Sequence, residues 1–572
     1  MAEQIGTAGA DTLVGGGGGD TRGPEGNDSS VGWLLAWWPA AVLFGLLILC
    51  AVHGVRTISG LTVLPDEDHL RDVGYMQGLL DGNWLGDPVY HGEWRWYPPL
   101  IPALGALLFT LSGAADLPRF WLQAGPWLNL LAPLGFFLAT RQLLASAPAA
   151  AVGTAVFVIF NGQISGPWNA GGYSPWPFTP SIAQAFFFGT TWLISARAGR
   201  GRLGDAPLIG VAIGLTFLAH AVPAVLLTAM VTAAAFASQG LRFRTLRWLA
   251  LTAAAQVAVM MIYLGPILLN YPDGIVHRTP GLHSDWLMTK PFQTWLLVMN
   301  APGVAALAVT LVLHRAAPLG RTTVAILAAW IGVCSLFLVR HFACPGEQPS
   351  DGGQGAALCN VFLVAAHHHH LYLQIGWTCL MGHAGWQVVR LWSAGQGGIR
   401  PRRWRIVLAG VLGVALLAVG SYGVLRRGFD RERRHVALTA AATLFDLQAY
   451  RWILANTPPH ARFATEHSDS STSELPVRMR TAFAVVAAGR SLVATHEDHS
   501  NPFTPWEPRE AERRALLQAA LGDGTGQILC QSAGPLWLIL PSNSATAPER
   551  VEAVHETDGS TIYRVAAGHC LK

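Results

Sequence analysis

Long apolar runs separated by short polar connectors dominate the chain. Apolar residues fill roughly 33–55, 119–140, 146–161, 181–197, 206–220, 221–238, 247–269, 293–313, 322–339, 369–389 and 406–425. A helix needs about 20 apolar residues to cross a bilayer core, so the pattern predicts about eleven membrane spans. The stretch from Pro207 to Ser238 has basic connectors at both ends and must cross twice. Its turn is expected at His220-Ala221-Val222-Pro223, where proline removes a backbone donor. The run 98–113 is too short to span and reads as a helix lying in the outer interface.

Charge orients this pattern. The connectors 197–206 (Arg197, Arg200, Arg202), 239–247 (Arg242, Arg244, Arg247), 314–321 (Arg315, Arg321) and 390–405 (Arg390, Arg400, Arg402, Arg403, Arg405) are basic, which places them in the cytoplasm. The loops 162–181, 270–292 and 340–368 are poor in basic residues and belong outside. The same parity makes 56–118 the first external loop of a transmembrane domain over 32–425. It also puts 426–572 outside, against the pull of Arg426, Arg427, Arg431, Arg433 and Arg434, because long domains translocate largely regardless of charge. Residues 1–31 are Gly-rich and low in complexity, and read as a disordered cytoplasmic tail.

From 435 onwards the chain has ordinary charge density and short apolar segments, the mark of a soluble α/β domain. Thr504-Pro505-Trp506-Glu507 fits a capping box that opens a helix through about Leu521, while Ile528 to Leu540 and Thr561 to Val565 read as strands.

Composition agrees with a membrane protein: of 572 residues, 51% are hydrophobic and 13% charged, with a net charge of +4. Mean hydropathy is +0.35. The Lys and Arg residues lie between apolar runs and make no basic face, so a nucleic-acid partner is not expected. Cys50, Cys334 and Cys379 sit in apolar runs as small buried hydrophobes. Cys344/Cys359 and Cys530/Cys570 lie in polar segments and fit two disulfides in an oxidising compartment, although spacing does not show the pairing.

The first candidate for chemistry is Asp66-Glu67-Asp68-His69, a few residues after the first span. Adjacent carboxylates repel one another and raise the proton affinity of at least one of them. Such a cluster serves as a base toward a hydroxyl, as a divalent-metal site (Mg or Mn on Asp66, Asp68 and His69), or as a solvated acidic loop. His496-Glu497-Asp498-His499, in the C-terminal domain, could chelate a metal, but alternating charges in an exposed loop read first as solvated.

Beyond the cluster come Asp81-Gly82-Asn83-Trp84, Asp87-Pro88-Val89-Tyr90-His91-Gly92-Glu93 and Trp96-Tyr97-Pro98-Pro99-Leu100, leading into an apolar helix that ends at Ser112-Gly113. An acidic pair after span one, a helix ending in Gly-x-Trp and a Tyr-Pro-Pro-Leu step resemble the first external loop of the GT-C superfamily, membrane glycosyltransferases that take sugars from polyprenyl-phosphate carriers. Arg451-Trp452-Ile453 leading to Asn456-Thr457-Pro458-Pro459-His460-Ala461 is similar to the entry of their C-terminal domains. The region between these motifs matches in hydropathy pattern rather than residue by residue.

The resemblance implies a glycosyltransferase of the bacterial plasma membrane, working in cell-envelope glycan biosynthesis. Its donor is a polyprenyl-phosphate sugar, and its acceptor a glycan, lipid or protein. Asp66 is the position that matches the family's general base, with Glu67 as the second acid and Asp68 as a departure from the pattern. Positive charge or hydrogen-bond donors must meet the departing phosphate, and His367, His370, Arg278, Lys290 and Arg340 are the candidates in external segments near the membrane. Trp96, Tyr97, Trp168, Tyr173 and Trp176 offer aromatic faces for a sugar, although Trp and Tyr also gather at membrane interfaces for other reasons. A transporter or flippase of lipid-linked sugars is the alternative, and spans nearly free of charge argue against it. A membrane anchor would leave so many spans unexplained.

The orientation is testable with a reporter fused after residue 435. Activity of an externally active reporter is expected, and a cytoplasmic signal overturns both the external domain and the two disulfides.

Overall fold

A computed structural model describes residues 29–61, 64, 67–161, 172–274, 276, 290–315, 318–343, 366–394, 446–465, 480–494, 501–521, 528–529, 535–541, 551–557 and 560–565. Each apolar run of the sequence falls on a helix there, except 406–425, which lies outside the described residues. The helices are α1 (Ser29–Ile58), α2 (Glu67–Leu80), α3 (Leu100–Ser112), α4 (Leu117–Leu128), α5 (Leu131–Leu144), α6 (Ala147–Val156), α7 (Thr179–Arg197), α8 (Asp205–Ala219), α9 (Ala221–Gln239), α10 (Phe243–Asn270), α11 (Lys290–Leu313), α12 (Arg321–Ala343) and α13 (Ala366–Ala394).

Among the described residues, five helical stretches are long and apolar enough to cross a membrane: Trp37–Ile58, Leu117–Leu144, Ala221–Gln239, Phe243–Asn270 and Arg321–Val339. Others, such as Asp205–Ala219, are apolar but shorter. The expected break at 220–223 is real. His220 is extended (φ −164°, ψ 135°) between α8 and α9, and Pro223 sits in the first turn of α9, where its missing N–H costs no helical bond. The run 119–140 is two helices rather than one, since Pro126 lies inside α4 and the chain re-enters helix at Leu131.

Aromatic packing fills the centre of the helical body. Phe136 stacks on Phe157 at 4.5 Å, Phe188 meets both edge-on, and Phe187 lies between Trp330 and Tyr372 at 4.9 Å from each. Cys50, Cys334 and Cys379 are free and buried, as expected of small hydrophobes. Cys344, Cys359, Cys530 and Cys570 lie outside the described residues.

The C-terminal part adds α14 (Leu447–Asn456), β1 (Arg462–Thr465), α15 (Arg480–Ala487), β2 (Ser491–Leu492), α16 (Trp506–Leu521), β3 (Leu536–Pro541), β4 (Val551–Glu556) and β5 (Ser560–Val565). They form one sheet of order β2-β1-β3-β5-β4. The pairs β2/β1 and β1/β3 are parallel, and β3/β5 and β5/β4 antiparallel. The strand expected from Ile528 starts only at Leu536, and residues 528–529 are helical. The helix expected from the capping box begins at Trp506, so Pro505 precedes it.

This part of the chain does not hang apart from the segment around α2. Leu70, Val73, Met76 and Leu79 of α2 share one core with Ile453, Phe463, Val485 and Leu492. Leu492 donates its N–H to the Val89 carbonyl at 2.7 Å, so the loop extends the β2 edge through a parallel bridge at Tyr90. Gly74 permits this contact, because a Cβ there would collide with the Val486 carbonyl. Arg490 completes the join: Nη1 donates to Asp81 Oδ2 at 2.7 Å, Nη2 to the Thr457 carbonyl at 3.1 Å and Nε to Thr457 Oγ1 at 3.2 Å.

Removing one partner of a buried ion pair leaves the other charge uncompensated and costs about 3–5 kcal/mol. Arg490→Met is therefore expected to lower the thermal unfolding temperature of the purified protein clearly. Arg564→Met, which breaks an exposed pair with Glu552, should cost less than about 1 kcal/mol and leave the melt nearly unchanged.

Candidate functional site

The site is built on α2. Its first residues, Glu67 and Asp68, are acidic, which suits a helix N-terminus. Every residue from His69 to Leu79 except Arg71 is buried, so the helix is enclosed on all sides in spite of its polar sequence. Asp66 lies outside the described residues, as does the side chain of Glu67.

Enclosure sets the electrostatics. Asp72 is fully buried; its carboxylate accepts from Thr179 Oγ1 at 2.7 Å and from Arg71 Nη2 at 3.1 Å. Burial pushes its pKa up to about 6, with Arg71 and Thr179 holding it back. Arg71 also pairs with Asp68 Oδ1, so one guanidinium serves two carboxylates. Although burial alone would favour loss of its proton, these neighbours hold Arg71 firmly in the charged form.

A second buried carboxylate, Asp87, accepts from the Val89 N–H at 2.7 Å and from the Tyr75 hydroxyl at 3.2 Å. Burial raises it to about 6 against those two bonds and Arg95. His69 is fully buried, with its ring 5.8 Å from Phe178 and 6.4 Å from Trp176, and neither of its nitrogens makes a hydrogen bond. Burial pulls it down to about 4, with Asp68 opposing, so the imidazole is neutral at pH 7.

The other residues singled out in the sequence fall in several places. Trp96 and Tyr97 reach the site: the Trp96 carbonyl accepts from the Tyr263 hydroxyl of α10, and Tyr97 lies under Arg71. Trp176 and Tyr173 are buried, offering no open sugar face. The Trp176 carbonyl accepts from Asn129 Nδ2 at 2.6 Å, and the Tyr173 hydroxyl donates to the Pro126 carbonyl at 3.2 Å. His370 is buried in a network between α11 and α13, its ring nitrogen 3.3 Å from Asn300 Nδ2 and 3.1 Å from Gln374 Nε2. Trp168 and Arg278, and the side chains of His367, Lys290 and Arg340, lie outside the described residues, as does 495–500 with His496 to His499.

The described residues give a metal no ligand set. Among them no group of three or more His, Cys, Asp or Glu side chains is placed to hold an ion. Asp68 is turned to Arg71, and His69 is walled by Trp176 and Phe178.

Arg71, Asp72, Thr179 and Arg95 went unassigned in the sequence. One signal for the first two was present, since Asp68 to Arg71 and His69 to Asp72 are each three apart and face together on a helix. Nothing local pointed to Thr179, which joins from 107 positions away.

No family model matches the chain, and no curated protein sequence matches it. Solved structures do. ArnT from Cupriavidus metallidurans, bound to undecaprenyl phosphate, aligns over 94% of this chain and 99% of its own, with a TM-score of 0.51 and 12% identity. The archaeal oligosaccharyltransferase AglB from Archaeoglobus fulgidus, in complex with an inhibitory peptide and a dolichol-phosphate, aligns over 90% of this chain and 70% of its own, with a TM-score of 0.50 and 11% identity. Identities this low relate the chains by fold alone. With nearly the whole of both chains aligned to ArnT, this protein shares the fold of that structure.

Proposed function

We propose that the protein moves a sugar from a polyprenyl-phosphate carrier to an acceptor hydroxyl on the outer face of the plasma membrane. The observation that carries this reading is the end-to-end likeness of fold to a transferase solved with undecaprenyl phosphate. The acidic residues at the head of α2 supply the carboxylates that such a reaction requires.

In the proposed reaction a carboxylate takes the acceptor's hydroxyl proton while the acceptor oxygen bonds to the anomeric carbon. The bond from that carbon to the phosphate oxygen breaks, and its electron pair leaves with the lipid phosphate. Asp66, directly before α2, is the proposed base, and Glu67 its neighbour. Asp68, Arg71 and Asp72 form a charged frame in the first turns of α2. His367, Arg278 and Arg340 remain the proposed contacts of the departing phosphate. About eleven spans, an outward-facing first loop and an outward-facing C-terminal domain complete the reading.

The buried carboxylates make the proposal sensitive to pH in a defined direction. Asp72 and Asp87 titrate near 6 in the folded protein, above the usual carboxylate range of about 4. Between about pH 4 and 6 the folded state therefore binds more protons than the unfolded one, and stability contributed by these groups falls as pH rises. Transfer should run the opposite way, rising through pH 6 as the Asp72–Arg71 ion pair forms.

The test is incubation of purified protein with labelled lipid-linked hexoses and pentoses across this range. Wild type is expected to transfer one of them with an acidic limb near pH 6, and Asp66→Asn to lose at least about 100-fold of the rate while melting at the wild-type temperature. Wild-type rates in Asp66→Asn would remove that residue from the role of base.

A further inference from the structure

Four side chains of the first external loop form one continuous stack. The Arg71 guanidinium lies 4.0 Å from the centre of the Tyr97 ring. Tyr97 stacks on Tyr75, with centroids 5.7 Å apart and planes 22° from parallel. The Arg95 guanidinium lies 5.1 Å from the centre of the Tyr75 ring. The order is therefore guanidinium, ring, ring, guanidinium, and each ring presents its negative face to a cation.

Two members of this stack are tied to carboxylates. Arg71 bonds Asp68 and Asp72 on one side, and Tyr75 donates its hydroxyl to Asp87 on the other. Arg71 Nε and the Nε and Nη1 of Arg95 are buried without a hydrogen-bond partner, while Arg95 Nη2 donates to the Asn83 carbonyl at 3.3 Å. Both carboxylates that hold Arg71 lie on its own helix, so they alone do not fix the guanidinium relative to the rest of the molecule. The face of Tyr97 adds a contact from outside α2. Tyr97 comes from a different part of the loop, directly before Pro98-Pro99, and the preceding carbonyl, that of Trp96, is held by the Tyr263 hydroxyl of α10. The stack thus refers the Arg71 guanidinium to the helical body and not merely to α2.

We propose that Tyr97 is a positioning residue for the transfer site, acting through Arg71 to hold Asp68 and Asp72 in the arrangement that turnover needs. The role rests on the lipid-linked transferase reading. It assigns Tyr97 no contact with substrate, in place of the sugar-stacking role that its residue type alone implies.

A double-mutant cycle separates the two roles. Wild type, Tyr97→Phe, Tyr97→Leu, Arg71→Met and Tyr97→Leu/Arg71→Met are compared for kcat, for the KM of the lipid-linked donor and of the acceptor, and for melting temperature. Tyr97→Phe keeps a ring face and should stay within about threefold of wild type in kcat. Tyr97→Leu should lower kcat at least about tenfold with both KM values within about threefold, the pattern of an interaction realised at turnover. In the Arg71→Met background Tyr97→Leu should cost nothing further. Losses that multiply in the two backgrounds, a loss confined to KM, or a wild-type kcat in Tyr97→Leu each overturn the proposal while leaving the transferase reading standing. A wild-type protein that transfers no lipid-linked sugar overturns that reading and this role with it.

Discussion

Removing the charged helix α2 from water is the constraint on which the rest of the structure depends. Asp72, His69 and Asp87 are buried, and each ionised or polar group taken out of water has to be compensated or pushed toward its neutral form. Asp72 is compensated by Arg71 and Thr179, Asp87 by Tyr75 and the Val89 N–H, and His69 gives up its charge. Fixed dipoles and charges in such an enclosure act more strongly than in water, which is what the proposed transfer needs.

Two bodies supply the enclosure. From the helical body come Thr179 at the start of α7 and Tyr263 of α10, together with Trp176 and Phe178 from the segment before α7. The C-terminal domain provides α15, packed against Gly74, and Arg490, bonded to Asp81. A third tie lies at Glu93, which accepts from Asn501 at 2.7 Å and pairs with Arg509, while Asn501 also donates to Tyr271 at the C-terminal end of α10. The first loop, the end of α10 and the C-terminal domain thus meet at one point. The C-terminal domain is part of the wall of the site, a closer role than that of an appended module.

What could be foreseen from the sequence follows the range of the interactions involved. The helices of the body were legible because apolar periodicity is local, and so was the break at His220 beside Pro223. The extent of β3 and the existence of β4 were not, since a strand as exposed as Val551–Glu556 carries no apolar alternation. At the site, the acidic head of α2 stood out by composition. Its ion pairing was half visible in the spacing of Asp68 and Arg71, whereas the stack of Tyr75 on Tyr97 and the bond from Thr179 close over long stretches of chain and leave no local pattern. Tyr173 and Trp176 misled because aromatic residues in a Gly- and Pro-rich loop look alike whether they face a ligand or a core.

α2 is held in place by the C-terminal domain as much as by the membrane helices. Hydrogen exchange on wild type and on Gly74→Ala, whose added Cβ is directed at the Val486 carbonyl, measures this directly. The account predicts that amides of Glu67–Leu80 and of Arg480–Leu492 lose protection together in the variant. Exchange that quickens in Arg480–Leu492 while Glu67–Leu80 stays as protected as in wild type would contradict it.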